Sequence, residues 1–240
     1  SSIIAMWFLN AVATANGSAP SLDYMNADFT QSVLNTPAVL EDFKWLQDFV
    51  KKDGSMASTA KATELGMVDG QNFVAGKALF DLGGDWVIPI LRDGAQFDWD
   101  VLPLPKGKAT QATYGQVGLF GILASSKHKD EAYKWVSFQF ETEAQKWKID
   151  QGATASVNSD ELLNYYNESP VWQGKNISAV TYTQQLTCCV SRQQIIPAYG
   201  EYPWGPIIQS IYGDLNINDL SAHIEAWNKK SMEVRKQLGW

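Results

Sequence analysis

The chain has 240 residues, with 19 Lys and Arg against 26 Asp and Glu, a net charge of −7 and a pI near 4.8. That balance excludes a nucleic-acid surface, which needs clustered cations to neutralise phosphate. At 45% hydrophobic and 19% charged residues, the composition is that of one large or two smaller folded domains and not of a disordered tail. The longest apolar run, Ile3 to Leu9, is far shorter than the roughly 18 residues that cross a bilayer, so no transmembrane segment is expected. Ten Trp beside nine Tyr and ten Phe exceed what a core alone would use, and some of those indoles are expected to face a ligand.

In chain order, the first element is a helix ending at Asn16-Gly17, with Ile4, Phe8, Ala11 and Ala15 on one stripe. Ala13-Thr14-Ala15 imitates a signal-peptidase site, but no Met, Lys or Arg precedes the apolar run, so the segment is read as a helix. Thr36 as N-cap and Pro37 at the first helical position announce the next helix. Val39, Phe43, Leu46 and Val50 form its apolar stripe, and Lys51-Lys52 before Gly54 suit its negative end. A short helix over Gln71 to Ala75 leads through Gly76-Lys77 into Ala78 to Leu82, read as a buried strand that stops at Gly83-Gly84. Asp85 caps a short helix limited by Pro89 and Gly94. Trp99 to Leu102 and Gly118 to Ala124 are read as two more strands.

Asp130 to Phe140 is read as a helix with Ala132, Trp135, Val136 and Phe140 on its core face, and Thr142 with Gln145 as the capping box of the helix that ends at Gly152. Beyond Ser156 come helices and loops, a Pro- and aromatic-rich stretch from Ile196 to Pro206, and a last helix from Asn218 with Leu220, Ile224, Trp227, Val234 and Leu238 aligned. Strands before helices in the middle and helices at the end make the fold class α/β with a helix-rich C-terminal part. Trp45, Trp135 and Trp227 fall on helix core stripes.

Several chemistries find no residues to carry them. His128 and His223 stand alone, without ligands at metal spacing or a triad partner, so neither a metal nor a catalytic site is expected. Gly115, Gly118 and Gly121 match neither a dinucleotide fingerprint nor a P-loop, and no cofactor is expected. Cys188 and Cys189 are adjacent, and a bond between them would close a strained small ring, so they are read as small hydrophobes. Asp98 and Asp100 flank Trp99 and would share one face of a strand, as the paired carboxylates of a glycoside hydrolase might. A turn before a strand collects Asp anyway, and that reading is preferred.

From Phe73 to Trp86 the sequence FVAGKALFDLGGDW resembles the extracellular solute-binding proteins of ABC importers, in particular their carbohydrate-binding, maltose-binding-protein-like group. FDWDVLPLP from Phe97 to Pro105, the glycine-rich Gly115 to Ser125, the helix Lys127 to Phe140 and its successor Thr142 to Gly152 follow in the family's order. The resemblance implies a periplasmic-binding-protein type II-like fold of two lobes that binds a sugar without catalysis and delivers it to an ABC membrane permease. It also implies a periplasmic or extracellular location, compatible with a lipid anchor on the full-length protein, and a monomer. Family members begin with a signal peptide and an N-terminal lobe, so the resemblance further implies a truncated chain preceded by about a hundred residues or more. Residues 1–100 would then be a second-lobe portion, 101–155 a crossover with part of the first lobe, and 156–240 helices returning to the second lobe.

A sugar needs flat aromatic faces for its C–H surfaces and short polar groups for its hydroxyls. By resemblance Trp86 matches the cleft tryptophan after the glycine turn, with Asp85 beside it as a hydroxyl acceptor. Trp204 with Tyr202 matches a second stacking surface, Trp7 falls where the second lobe's first helix approaches the cleft, and Gln116 is a further candidate. The competing readings are a carbohydrate-active enzyme using Asp98 and Asp100, and an interaction domain without a small ligand.

Overall fold

The computed structural model describes residues 2–19, 24–66, 71–115, 120–190 and 196–240, apart from the side chains of 2–7, 184 and 187–190. Its helices are α1 (Ser2–Asn16), α2 (Pro37–Lys51), α3 (Thr59–Glu64), α4 (Gln71–Val74), α5 (Ile88–Gly94), α6 (Lys129–Phe138), α7 (Thr142–Asp150), α8 (Asp160–Tyr165), α9 (Ile177–Gln185), α10 (Trp204–Tyr212) and α11 (Leu220–Leu238). Two short strands, β1 (Thr113–Gly115) and β2 (Thr187–Val190), pair in parallel. The chain divides into two compact units, one of Ser1–Met67, Leu104–Gln116 and Thr183–Trp240, the other of Val68–Pro103 and Val117–Tyr182. Each of the expected segments 1–100, 101–155 and 156–240 is thereby shared between the units. No described helix is long and apolar enough to cross a membrane.

In the first unit α1 packs on β1, β2, α2 and α10, burying Leu9, Ala11, Ala13 and Ala15, so the small residues that imitate a cleavage site serve close helix packing. α2 begins as its sequence dictates, with Thr36 extended before Pro37 and Val39, Phe43 and Leu46 buried at four- and three-residue spacing. Trp45, expected in that core, is 52% exposed, because at about 100° per residue it lies some 200° round the helix from Phe43. The core joins these side chains to Ile207 and Ile211 of α10 and to Leu220, Ile224 and Trp227 of α11. α11 starts at Leu220 after a 3-10 turn, Ile217–Asp219, and its expected stripe runs out at the exposed Leu238.

In the second unit Val87, Ile88 and Leu91 pack with Ile149, Leu162, Tyr166 and Trp172. The Trp172 Nε1–H donates to the Ile149 carbonyl at 3.1 Å, which satisfies the one polar group of that buried ring. The expected capping box is absent: Glu141 precedes α7 without a side-chain cap, and Gln145 is buried with its Nε2 donating to the Gln139 carbonyl. α6 buries none of its residues, and Trp135, expected in the core, is 57% exposed with its ring edge-on to Phe120 at 5.5 Å. An apolar stripe is a capacity for burial, realised only where another element covers it.

None of the three expected strands forms among the described residues. Ala78 to Leu82 is irregular chain with Leu79 and Phe80 exposed, Trp99 to Leu102 is irregular, and so are the described residues of Gly118 to Ala124, 120–124. A strand is completed by its neighbour's hydrogen bonds, and a lone apolar run has none.

Candidate functional site

Two of the candidate residues lie in the turn Gly83-Gly84-Asp85-Trp86, which enters a 3-10 turn over Asp85–Val87 and then α5. Gly84 has an ordinary extended backbone (φ −100°, ψ −175°), so conformation does not demand glycine there. Space does. A methyl group at Gly84 would stand 2.1 Å from Cζ3 and 2.4 Å from Cη2 of Trp86, and one at Gly83 would stand 2.6 Å from Cγ2 of Val87. The indole therefore lies directly on the bare Gly84 backbone, and it remains 45% exposed.

Asp85, expected to accept a ligand hydroxyl, has one oxygen committed within the second unit. Its Oδ2 accepts the Thr154 backbone N–H at 2.9 Å and the Thr154 hydroxyl at 2.8 Å. No hydrogen bond to its Oδ1 is made among the described residues. Thr154 lies in a loop whose next two amides are also held by side chains: Ala155 N–H donates to the Tyr166 hydroxyl oxygen at 2.7 Å, and Ser156 N–H to Gln145 Oε1 at 2.7 Å. Burial holds the Tyr166 phenol above its ordinary pKa, so it stays neutral as the acceptor. Gly152, at φ +92°, starts this loop where a side chain would meet Ile88 at 2.7 Å.

In the first unit the Pro- and aromatic-rich stretch gathers four rings. Trp204 is half-buried, 4.7 Å from Tyr202, 5.7 Å from Tyr24 and 6.2 Å from Tyr199. Tyr202, expected to join it in stacking a ligand, is 5% exposed, with its hydroxyl on Ser32 and its ring 4.6 Å from Trp227. It is a support for Trp204. Ala198, at φ +58°, turns the chain into this stretch, and its carbonyl accepts the Trp227 Nε1–H at 2.9 Å.

Trp7 lies on α1, with its side chain outside the described residues, and Gln116 falls outside them altogether. Trp204 and Tyr202 are thus brought together, as are Asp85 and Trp86. Thr154 and Tyr166 escaped the sequence reading, since nothing local marks a loop residue that holds an aspartate 69 positions away.

The paired-carboxylate reading loses its geometry. Without a strand Asp98 and Asp100 share no ladder face, Asp98 is exposed, and Asp100 Oδ1 accepts the backbone N–H groups of Val101 and Asn176 at 2.8 and 2.6 Å. No group of three His, Cys, Asp or Glu among the described residues could hold a metal ion. A groove of about 430 Å³ in the first unit is lined by Phe8, Val12, Asp42, Trp45, Leu104 and Lys106 among others, and includes none of the candidate ligand residues. Of its two carboxylates, Asp42 is bonded to Asn16 and Ser18, and Glu41 is paired with Lys108 at 3.5 Å.

Residues 2–146, more than half of the chain, match the family described as bacterial extracellular solute-binding protein. No curated protein matches the chain. Solved structures that resemble it include the ABC substrate-binding protein Lmo0181 of Listeria monocytogenes in complex with cycloalternan, with 22% identity and a TM-score of 0.73 over 97% of this chain and 56% of that one. UgpB of Mycobacterium tuberculosis in complex with glycerophosphocholine is similar at 13% identity and a TM-score of 0.71, covering 99% and 57%. The maltotriose-binding protein of Thermus thermophilus with maltotriose is similar at 15% identity and a TM-score of 0.68, covering 94% and 59%. The chain therefore spans less than two thirds of the length of each.

Proposed function

The chain belongs to the family of bacterial extracellular solute-binding proteins, and from that premise we propose that it binds a mono- or oligosaccharide and hands it unchanged to an ABC importer. Its fold is that of the type II periplasmic binding proteins. The observation that carries the sugar reading is the Trp86 indole, half-exposed on Gly84 beside a carboxylate whose second oxygen has no partner among the described residues. An indole face takes the C–H surface of a pyranose, and a carboxylate oxygen next to it accepts a hydroxyl. Within the first unit, Trp204, held by Tyr202, offers an aromatic face of its own, and Trp7 and Gln116 are further candidate contacts there. The protein acts as a monomer outside the cytoplasm, in the periplasm or at the outer face of the membrane. The bound sugar is presented to the importer's membrane permease.

Two of the similar structures hold saccharides and one holds glycerophosphocholine, so the test must separate these ligands. Tryptophan fluorescence is titrated with maltotriose, a cyclic oligosaccharide and glycerophosphocholine, and reducing ends are assayed in parallel. A saturable response to a saccharide with no new reducing ends is expected. Released reducing ends would favour hydrolysis, and a response to glycerophosphocholine alone would move the ligand class.

A further inference from the structure

We infer that Thr154 is a positioning residue that sets the presentation of the Trp86 indole by clamping Asp85. The inference rests on the sugar-binding reading only for its consequence in affinity, because the clamp itself is a matter of geometry.

Two successive glycines precede Asp85, and glycine gives the backbone more freedom than any other residue. Val87 and Ile88, beyond Trp86, are buried and fix the chain on that side. On the other side the fixed point is Asp85, whose Oδ2 accepts two hydrogen bonds from Thr154, one from the amide and one from the hydroxyl. Thr154 in turn sits in a loop whose following amides are held by Tyr166 and Gln145, two buried side chains. The indole is thus held between a rigid loop acting through Asp85, the bare surface of Gly84 beneath its ring, and the core-anchored α5 that follows.

A ring confined in this way meets a ligand without first being ordered, and that ordering cost is about 0.5–1.5 kcal/mol per side chain. Removing the Thr154 hydroxyl takes away one of the two bonds to Asp85 and loosens the turn, while the Thr154 amide bond, the loop's other two ties and the core of the unit stay in place. Gly84 works from the opposite side: any side chain there must push the indole from its seat.

The test incorporates 5-fluorotryptophan into the 240-residue chain and follows its ten tryptophan signals by fluorine NMR. The Trp86 signal is the one that disappears in Trp86→Phe. In Thr154→Val and in Gly84→Ala that signal should move while the other nine stay, and Thr154→Ser should return it to the parent position. A Trp86 signal that stays in Thr154→Val overturns the assignment, and so does a collapse of all ten, which would make Thr154 a residue of the fold and not of the indole. Maltotriose is then added to the same samples. The affinity of Thr154→Val should fall about tenfold, equivalent to about 1.4 kcal/mol. If maltotriose moves no tryptophan signal even in the parent, the sugar reading fails and the clamp, read without ligand, stands.

Discussion

The ring of Tyr202 lies 4.7 Å from that of Trp204 and 4.6 Å from that of Trp227, and its hydroxyl meets Ser32 across 170 positions of sequence. Two aromatic residues one proline apart therefore have different roles, the first buried and the second half-buried above it. Tyr202→Ala should lower unfolding stability by about 3–5 kcal/mol, the cost of emptying a large aromatic site. Tyr202→Phe should cost about 1 kcal/mol through the lost hydroxyl pairing. Urea unfolding of the two variants checks this, and equal small losses would show that Tyr202 is not core.

Trp86→Ala should weaken saccharide binding by about 1–3 kcal/mol, since an aromatic anchor is lost. Its thermal midpoint should stay close to that of the parent, because the ring is half-exposed and rests on backbone and not in a core. A large fall in the midpoint would make the residue structural.

On α2, Leu46→Ala should destabilise the chain by about 2–5 kcal/mol, while Trp45→Ala, one position away, should stay within about 1 kcal/mol. The contrast follows from Leu46 being buried and Trp45 being half-exposed. Chemical denaturation of both variants measures it.

Burial pushes the Tyr212 phenol up to about 12 from its ordinary 10. The neutral ring is thus favoured in the fold, and its contribution is whole below pH 10, where folded and unfolded chains are both protonated. As pH rises from 10 towards 12 the unfolded chain gives up this proton first, and about 2–3 kcal/mol of stability is lost. Urea midpoints at pH 9, 10.5 and 12 should fall more steeply in the parent than in Tyr212→Phe. Parallel curves would refute the assignment.

What the sequence made legible was local. Thr36-Pro37 and the spacing of Val39, Phe43 and Leu46 announce α2 because a helix closes its hydrogen bonds within itself, and the same holds for Leu220, Ile224 and Trp227. Ala78 to Leu82 and Trp99 to Leu102 carry strand-like residues, yet a strand exists only with a partner. The β1 and β2 pair was missed for the same reason, since Thr113 and Thr187 acquire their character from each other. The apolar stripe of α6 was visible, but whether anything covers Trp135 is not written in its own residues. At the candidate site, Trp86 and Asp85 are proposed from the motif around them. The role of Thr154 was out of reach because it depends on a loop brought back by α7 and α8.

Non-catalytic saccharide binding through Trp86 is measured by isothermal titration of the parent chain and Trp86→Ala with maltotriose, with the recovered sugar analysed afterwards. One saturable site is expected in the parent, with an affinity at least about fivefold weaker in the variant, corresponding to about 1 kcal/mol, and intact trisaccharide in both cells. Equal affinity in parent and variant, or cleaved sugar in the parent cell, would contradict it.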